Sequence, residues 1–135
     1  MKPPADDACP CGSGEAYAAC CGRYHAGTPA PDAERLMRSR YSAYVRGLEA
    51  YLLATWHPDT RPAALDLTAS PRPHWLGLAV QAHAVADADH ATVQFVARYK
   101  LNGRAFKLSE TSRFVRLDGH WLYLDGLYPD GDVRA

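Results

Sequence analysis

The four cysteines of this chain lie within one short segment near its start, in the spacing C-x-C-x8-C-C. A single residue separates the first two, so one tight turn directs both thiolates towards one point. Four thiolates with no open position are typical of a structural zinc site rather than a catalytic one. Metal binding would supply about 10–16 kcal/mol of folding free energy, which so short a segment cannot obtain from an apolar core. We therefore predict a structural Zn²⁺ held by Cys9, Cys11, Cys20 and Cys21.

A short helix from about Glu15 to Cys21 would carry the second pair of cysteines back to the metal. Ser13 suits the N-cap of this helix, and Gly22 suits its end. Two alternatives to this zinc site stay open. Disulfides would require an oxidising compartment, and adjacent cysteines bond to each other only with strain. In the other alternative, His25 replaces Cys21 as the fourth ligand, because cysteine and histidine both serve in such sites.

Composition indicates a soluble protein of ordinary domain size. The 135 residues are 47% apolar and carry 15 basic and 15 acidic side chains. Balanced charge gives no long-range attraction to nucleic acid or to an anionic membrane. The opening residues 1–4 lack the apolar run of a signal peptide, and no later segment is apolar enough to span a membrane. We therefore expect a cytoplasmic protein with a zinc knuckle at 1–25, a linker at 26–31 and a larger domain at 32–135.

The larger domain is predicted to begin with helices and to continue as a sheet. Apolar residues recur at helical spacing over 32–57, and Gly47 separates two helices, the second of which runs to Trp56. The proline-rich residues 58–73 are predicted to be a loop. Four strands follow, at about 75–86, 91–101, 104–117 and 120–128, joined by turns at Ala88-Asp89, Asn102-Gly103 and Asp118-Gly119. The last two are preferred two-residue hairpin turns, which predicts an antiparallel meander.

These turns fix the strand register, so the facing of the side chains follows from the sequence. Folding at Asn102-Gly103 sets Phe95 opposite Glu110, and folding at Asp118-Gly119 sets Ser112 opposite Asp125. The opposite face is polar and includes His83. The predicted core face comprises Leu78, Val80, Ala82, Ala84, Val93, Phe95, Ala97, Tyr99, Phe106, Leu108, Phe114, Trp121 and Tyr123.

Three polar residues interrupt this core face, namely Glu110, Ser112 and Asp125. Buried carboxylates are costly unless they are paired or hydrogen-bonded. They could form a structural network with Arg35, Arg38 or Arg40, or they could line a ligand cavity. In the second case the pocket residues are Glu110, Ser112, Asp125, Tyr99 and Tyr123. A catalytic cavity would use Asp125 or Glu110 as general base, with His57 facing the same opening.

Two resemblances add to this interpretation. Residues 9–14 and 20–22 with Tyr17 between them are similar to the SEC-C motif, which implies zinc binding and contact with partner proteins. Helices followed by a curved antiparallel sheet suggest an α+β fold, the nuclear-transport-factor-2-like cone. A second resemblance rests on the cysteine segment together with residues 36–44, 55–57, 75–78, 95–98, Glu110, 112–114 and 121–126. Through these residues nearly the whole chain resembles the YchJ family of uncharacterised bacterial proteins, which implies that cone joined to a SEC-C module.

The function expected from these features is that of a binding or adaptor protein. The zinc knuckle would dock a protein partner, and the cone-shaped domain would bind a small molecule or a peptide. The alternative is a small enzyme with Asp125 or Glu110 as base, and the polar face or edge of the sheet could form a homodimer. Nucleic acid is not an expected partner, because the arginines of 35–46 spread around much of their helix.

Overall fold

The computed structural model describes residues 8–67 and 72–128, together with the backbone of 133–134. The larger domain starts with helix α2 (Ala33–Arg46) and helix α3 (Glu49–Ala54). The Asp32 carboxylate accepts a hydrogen bond from the Arg35 backbone N–H at 2.8 Å and so caps the start of α2. Gly47 ends α2 in the left-handed conformation, at φ 72°. The predicted break at Gly47 is therefore confirmed, whereas α3 ends earlier than Trp56.

The N-terminal segment folds differently from the predicted single helix over Glu15–Cys21. It forms a 3-10 turn at Tyr17–Ala19 and then helix α1 at Cys21–His25, with a non-helical Cys20 between them. Gly22 does not end a helix but lies inside α1, where the backbone passes close to Tyr17. A Cβ at this position would come 2.7 Å from the Tyr17 carbonyl oxygen. The close packing of the 3-10 turn against α1 therefore leaves no room for a side chain at position 22.

The sheet is an antiparallel meander in the order β1-β2-β3-β4-β5. The hairpin turns lie where the sequence predicts them, and both residues of Asn102-Gly103 and of Asp118-Gly119 have positive φ. Such turns match the right-handed twist of the paired strands. A short fifth strand, which the sequence did not predict, pairs with the end of β4. The strands are β1 (His74–Asp87), β2 (His90–Leu101), β3 (Arg104–Leu117), β4 (His120–Leu127) and β5 (Val133–Arg134).

The predicted register of the central hairpin is confirmed, since Phe95 lies opposite Glu110 and Val93 opposite Ser112. The predicted pairing of Ser112 with Asp125 is wrong. The register shifts between Arg113 and Phe114, so that Ser112 pairs with Gly126 and Arg113 with Asp125. A bulge adds one residue to one strand and reverses the facing beyond it. Asp125 therefore shares the outer face of the sheet with Arg113.

A second irregularity changes the facing in strand β1. The register shifts between Val80 and Ala82, so that Ala82 pairs with Gln94 and His83 with Val93. Leu78 and Val80 lie on the inner face as predicted. The prediction that Ala82 and Ala84 face the core and that His83 faces outward is wrong, again because a bulge inserts a residue that the turn positions do not reveal.

Helix α2 lies across the inner face of the curved sheet and forms the apolar core with it. Fully or nearly buried side chains of this core include Leu36 and Met37 from the helix and Val93, Phe95 and Phe114 from the sheet. This arrangement confirms the predicted α+β cone with a cysteine cluster at its N-terminal end. In the part of the chain that the structure describes, no helix is long and apolar enough to cross a membrane.

The position of Gly22 gives a testable prediction. Replacing Gly22 by Ala should lower the free energy of unfolding by about 1–3 kcal/mol, because the new methyl group overpacks against Tyr17. The gain of up to about 1 kcal/mol in helix propensity is too small to offset this cost. Urea unfolding followed by circular dichroism would measure the change.

Gly77→Ala is the matched control for this substitution. No atom lies within 4 Å of a Cβ built at Gly77, so the control should leave stability unchanged or raise it by up to about 1 kcal/mol. A Gly22→Ala protein as stable as the control would contradict the packing explanation.

Candidate metal centre and ligand cavity

The four cysteine side chains converge on one point. Their sulfur atoms all lie within 4.8 Å of one another, and the Sγ atoms of Cys11 and Cys20 are 3.6 Å apart. Tetrahedral ligands at about 2.3 Å from a zinc ion would be about 3.8 Å apart, which is close to this spacing. All four residues are buried. The predicted set of Cys9, Cys11, Cys20 and Cys21 therefore forms a cluster that could hold a metal ion.

Backbone hydrogen bonds hold the first pair of cysteines in place. Gly12 N–H donates to the Cys9 carbonyl at 3.2 Å, which closes the tight turn that the C-x-C spacing predicts. Cys9 N–H donates to the Glu15 carbonyl at 2.9 Å, and Ala8 forms an isolated bridge with Ala16. Ser13 does not cap a helix here. Its hydroxyl instead lies 3.2 Å from the Cys20 sulfur.

The electrostatics of the cluster oppose ionisation of all four thiols together. Burial raises the pKa of Cys20 to about 11. Hydrogen bonds with Cys11 and Cys9 raise the pKa of Cys21, whereas hydrogen bonds from Cys11 and Cys21 lower the pKa of Cys9. A thiolate at Cys9 is therefore stabilised by hydrogen bonds from neighbouring thiols, and this makes ionisation of Cys20 and Cys21 less favourable. Four thiolates at this site require a compensating cation, which is what a divalent metal supplies.

His25, the alternative fourth ligand, lies outside the cluster. Its Nδ1 lies 2.5 Å from the Tyr17 hydroxyl and its Nε2 lies 2.8 Å from the Ser39 carbonyl oxygen. Burial lowers the pKa of His25 and favours the neutral ring. Both ring nitrogens are thus engaged in hydrogen bonds, and the four-cysteine set remains the metal-binding candidate.

The cluster is packed against helix α2 rather than held apart from the larger domain. The Cys9 sulfur lies 3.6 Å from the Ser42 hydroxyl, and Arg38 Nη1 donates to the Cys11 carbonyl at 3.1 Å. The Arg46 guanidinium lies 4.0 Å from the centre of the Tyr17 ring, within the range of a cation–π contact. Three successive turns of α2 therefore contact the N-terminal segment.

A cavity of about 200 Å³ lies between α2 and the inner face of the sheet. Most of its walls are aromatic, and its charged groups are one arginine and one glutamate. An apolar pocket with a few convergent polar groups is the usual form of a small-molecule site. The residues that line it are Met37, Arg40, Tyr41, Tyr44, Trp56, Trp75, Phe95, Ala97, Leu108, Glu110, Ser112, Phe114, Tyr123 and Tyr128.

Glu110 is the buried carboxylate of this cavity and is held by hydroxyl groups. Tyr128 donates to its Oε1 at 2.8 Å, Tyr123 donates to its Oε2 at 3.4 Å, and Ser112 donates to Oε2 as well. Burial raises the pKa of Tyr123, so that its hydroxyl stays protonated and acts as a donor. Gly126 makes room for the carboxylate, because a Cβ there would lie 2.5 Å from the carboxyl carbon.

Arg40 is the buried cation of the same cavity, with 5% of its surface exposed. Its Nη1 donates to the Leu52 carbonyl at 2.8 Å and to the Thr55 hydroxyl at 2.6 Å. The guanidinium also lies over the rings of Trp56 and Tyr123, at 5.0 and 4.6 Å from their centres. Burial lowers the pKa of Arg40. Among the described residues, Arg40 forms no ion pair with a carboxylate.

The structure brings together three of the five predicted pocket residues, Glu110, Ser112 and Tyr123. Tyr99 does not line the cavity; its ring packs against Trp75 and Phe106 at 5.3 and 5.5 Å between ring centres. Asp125 does not line it either, because the bulge in β4 turns it towards Arg113. Two hydrogen bonds of 2.5 Å join the Asp125 carboxylate to that guanidinium.

The third catalytic candidate, His57, also lies outside the cavity lining. Its Nδ1 accepts a hydrogen bond from the Asp59 backbone N–H at 3.0 Å. Sequence reasoning did not assign Arg40, Trp56 or Tyr128 to the pocket. The helical spacing gives a signal for Arg40, which falls three residues after Met37 and four before Tyr44, on the face of α2 that meets the sheet.

Comparison with known proteins agrees with this architecture. A family model described as YchJ, middle NTF2-like domain, matches residues 32–126, and a SEC-C motif model matches residues 7–23. A UPF0225 protein of Xanthomonas campestris pv. campestris is 60% identical over 120 residues, which cover 88% of this chain and 93% of that protein. A UPF0225 protein of Bordetella parapertussis is 55% identical over 129 residues, which cover 93% and 96%.

Two solved structures share the fold. The solution structure of a SEC-C motif containing protein from Rhodopseudomonas palustris has a TM-score of 0.77 at 31% identity and covers 89% of this chain and 97% of that one. The crystal structure of a SEC-C motif containing protein from Psychrobacter arcticus has a TM-score of 0.72 at 29% identity, with coverages of 94% and 84%. The chain therefore belongs to the YchJ family, UPF0225, in which a SEC-C motif precedes a nuclear-transport-factor-2-like domain.

Proposed function

We propose that this protein binds a small organic molecule in the cavity of its cone-shaped domain and uses a structural zinc ion to fix the N-terminal segment onto helix α2. The observation that carries this proposal is the cavity itself, about 200 Å³ in volume, with aromatic walls and two buried charged groups. Such a cavity is costly to maintain, since a filled core would be more stable. Ligand binding gives a physical reason for retaining it.

Zinc is the metal that suits the cysteine cluster. Four buried cysteine sulfur atoms within 4.8 Å of one another, with no carboxylate in the group, favour Zn²⁺ over Mg²⁺ or Ca²⁺, which prefer oxygen ligands. All four ligand positions belong to the protein, so the ion would have a structural role and no part in chemistry. Its binding free energy would hold the N-terminal segment on α2. Docking of a protein partner by this segment, sheet-mediated dimerisation and a cytoplasmic location remain predictions.

The geometry favours a structural role for Glu110 in the cavity wall over the alternative role of general base. A general base needs a free lone pair within reach of the substrate proton. Three hydroxyl groups already donate to the Glu110 carboxylate. We therefore assign Glu110 to the network that shapes the cavity.

A metal assay tests the zinc site. The purified protein should contain about one zinc ion per chain, and Cys11→Ser should lose the metal and lower the free energy of unfolding by several kcal/mol. His25→Gln is the matched control and should keep its zinc, because both ring nitrogens of His25 are engaged elsewhere. Retention of zinc by Cys11→Ser together with its loss from His25→Gln would contradict the four-cysteine assignment.

A ligand probe tests the cavity. Phenol at ten times its Kd should raise the free energy of unfolding by about 1.4 kcal/mol and the melting temperature by about 5 °C. Ala97 lines the cavity, so Ala97→Leu should fill part of it and abolish this shift. Ala79 is exposed on the opposite face of the sheet, and Ala79→Leu should retain the shift. An equal response from both variants would show that phenol binds elsewhere.

Replacing Glu110 by Gln tests whether Glu110 has a structural role in the hydrogen-bond network or acts as a general base. The amide accepts fewer hydrogen bonds from the three hydroxyls, so the free energy of unfolding should fall by about 1–3 kcal/mol. Glu15→Gln, at an exposed position, is the control and should change it by less than about 0.5 kcal/mol. Chemical denaturation measures both variants, and a fully stable Glu110→Gln protein would argue against the network role.

A further inference from the structure

The cavity contains hydrogen-bond donors that have no acceptor among the described residues. The hydrogen bonds of the Arg40 guanidinium to other described residues all come from Nη1, and both go to neutral oxygen atoms. A guanidinium carries five N–H donors in a fixed planar arrangement. Its positive charge therefore lies in a buried site with no direct ion pair to a described carboxylate, although Glu110 lines the same cavity and interacts with it electrostatically.

Trp56 supplies a second unmatched donor at the same cavity. Its side chain lines the cavity and is 5% exposed. The indole Nε1–H is buried and has no acceptor within the described part of the chain. A buried indole N–H normally finds a partner, because leaving it unpaired costs about 1–3 kcal/mol. The Arg40 guanidinium lies over this indole ring, 5.0 Å from its centre, so both donor-bearing side chains belong to the same wall of the cavity.

The acceptors of the cavity, unlike these donors, already have hydrogen-bond partners within the protein. The Glu110 carboxylate accepts from Ser112, Tyr123 and Tyr128. A cationic ligand would have to compete with these hydroxyls for the same oxygen atoms. An anionic ligand would instead meet the Trp56 Nε1–H and the Arg40 donors that no described acceptor occupies, and this difference favours a negatively charged group on the ligand.

The size and walls of the cavity limit the rest of the ligand. A cavity of about 150 Å³ in another protein holds one benzene ring, and this cavity measures about 200 Å³. One ring, or an aliphatic group of similar size, with one carboxylate therefore fits the volume. Rings such as Phe95, Phe114 and Trp75 would pack against that apolar body.

From this arrangement we infer that the ligand is a small carboxylic acid with an apolar body, whose carboxylate accepts hydrogen bonds from Arg40 and from Trp56 Nε1. The inference rests on the proposed ligand-binding function of the cavity and names its ligand class. Arg40 would bind the carboxylate through the part of the guanidinium that faces away from Leu52 and Thr55. Trp56 would fix its orientation.

Three compounds of one size test the charge of the ligand, namely benzoate, benzamide and benzylamine, which at neutral pH are an anion, a neutral molecule and a cation. The full-length, zinc-loaded protein would be titrated with each while its indole N–H signals are followed by ¹H–¹⁵N NMR. Benzoate should bind at least tenfold more tightly than benzamide, since hydrogen bonds to a charged group are the stronger kind. It should also shift the Trp56 Nε1–H resonance downfield.

Trp56→Phe removes the N–H donor and keeps an aromatic ring in the cavity wall. This variant should bind benzoate about tenfold more weakly and benzamide with less than threefold change. Trp75→Phe is the matched control, since Trp75 also lines the cavity but its Nε1 is not among the buried unpaired atoms. The control should alter benzoate affinity by less than threefold. Thermal unfolding would establish that both variants are folded.

The outcomes separate this inference from the proposed function. Equal binding of benzoate and benzamide, tighter binding of benzylamine, or a Trp56 resonance that does not move would overturn the carboxylate assignment. Phenol would still bind in each of these cases if the cavity is a ligand site. Failure of phenol and of all three charged and neutral probes to shift any indole resonance would overturn the proposed function as well.

Discussion

Helix α2 is the element on which both sites depend, because it is packed from two sides at once. Arg38 and Ser42 contact the cysteine segment. Met37, Arg40 and Tyr44 lie on another side and line the cavity. A helix places residues three and four apart on one side, so a single helix of fourteen residues can serve two neighbours. Whatever fixes α2 against the cysteine segment also fixes the wall of the cavity.

Much of the fold could be predicted from local signals. The pairs Asn102-Gly103 and Asp118-Gly119 favour tight hairpin turns, and these turns set the register of the central strands. That register placed Glu110 correctly opposite Phe95. The left-handed Gly47 likewise marked the end of α2. In each case one or two residues determine the backbone locally, so no tertiary contact is needed to predict the result.

The remaining parts depend on tertiary contacts. The bulge next to Arg113 moved Asp125 out of the predicted pocket, and turn positions carry no information about a bulge inside a strand. The N-terminal segment forms a 3-10 turn and a short helix instead of one helix, and the close contact of Gly22 with Tyr17 is a contact between these elements rather than a local propensity. Arg40 was only one of three available arginines in the sequence. Arg35 instead pairs with Asp32 at the exposed start of the helix, and Arg38 pairs with Glu34 beside the cysteine segment.

The two buried charged groups of the cavity form hydrogen bonds with neutral groups and no direct ion pair with each other. Tyr123 lies between them, with its ring against the Arg40 guanidinium and its hydroxyl donating to Glu110. A direct ion pair between Arg40 and Glu110 would occupy the N–H donors of Arg40, and few donors would then be free to bind a ligand. Burial of an unpaired charge costs several kcal/mol, which hydrogen bonds and cation–π contacts offset only in part. The positive charge of Arg40 is therefore available to an incoming anion. Forming that ion pair would recover part of the burial cost and so would add to the affinity.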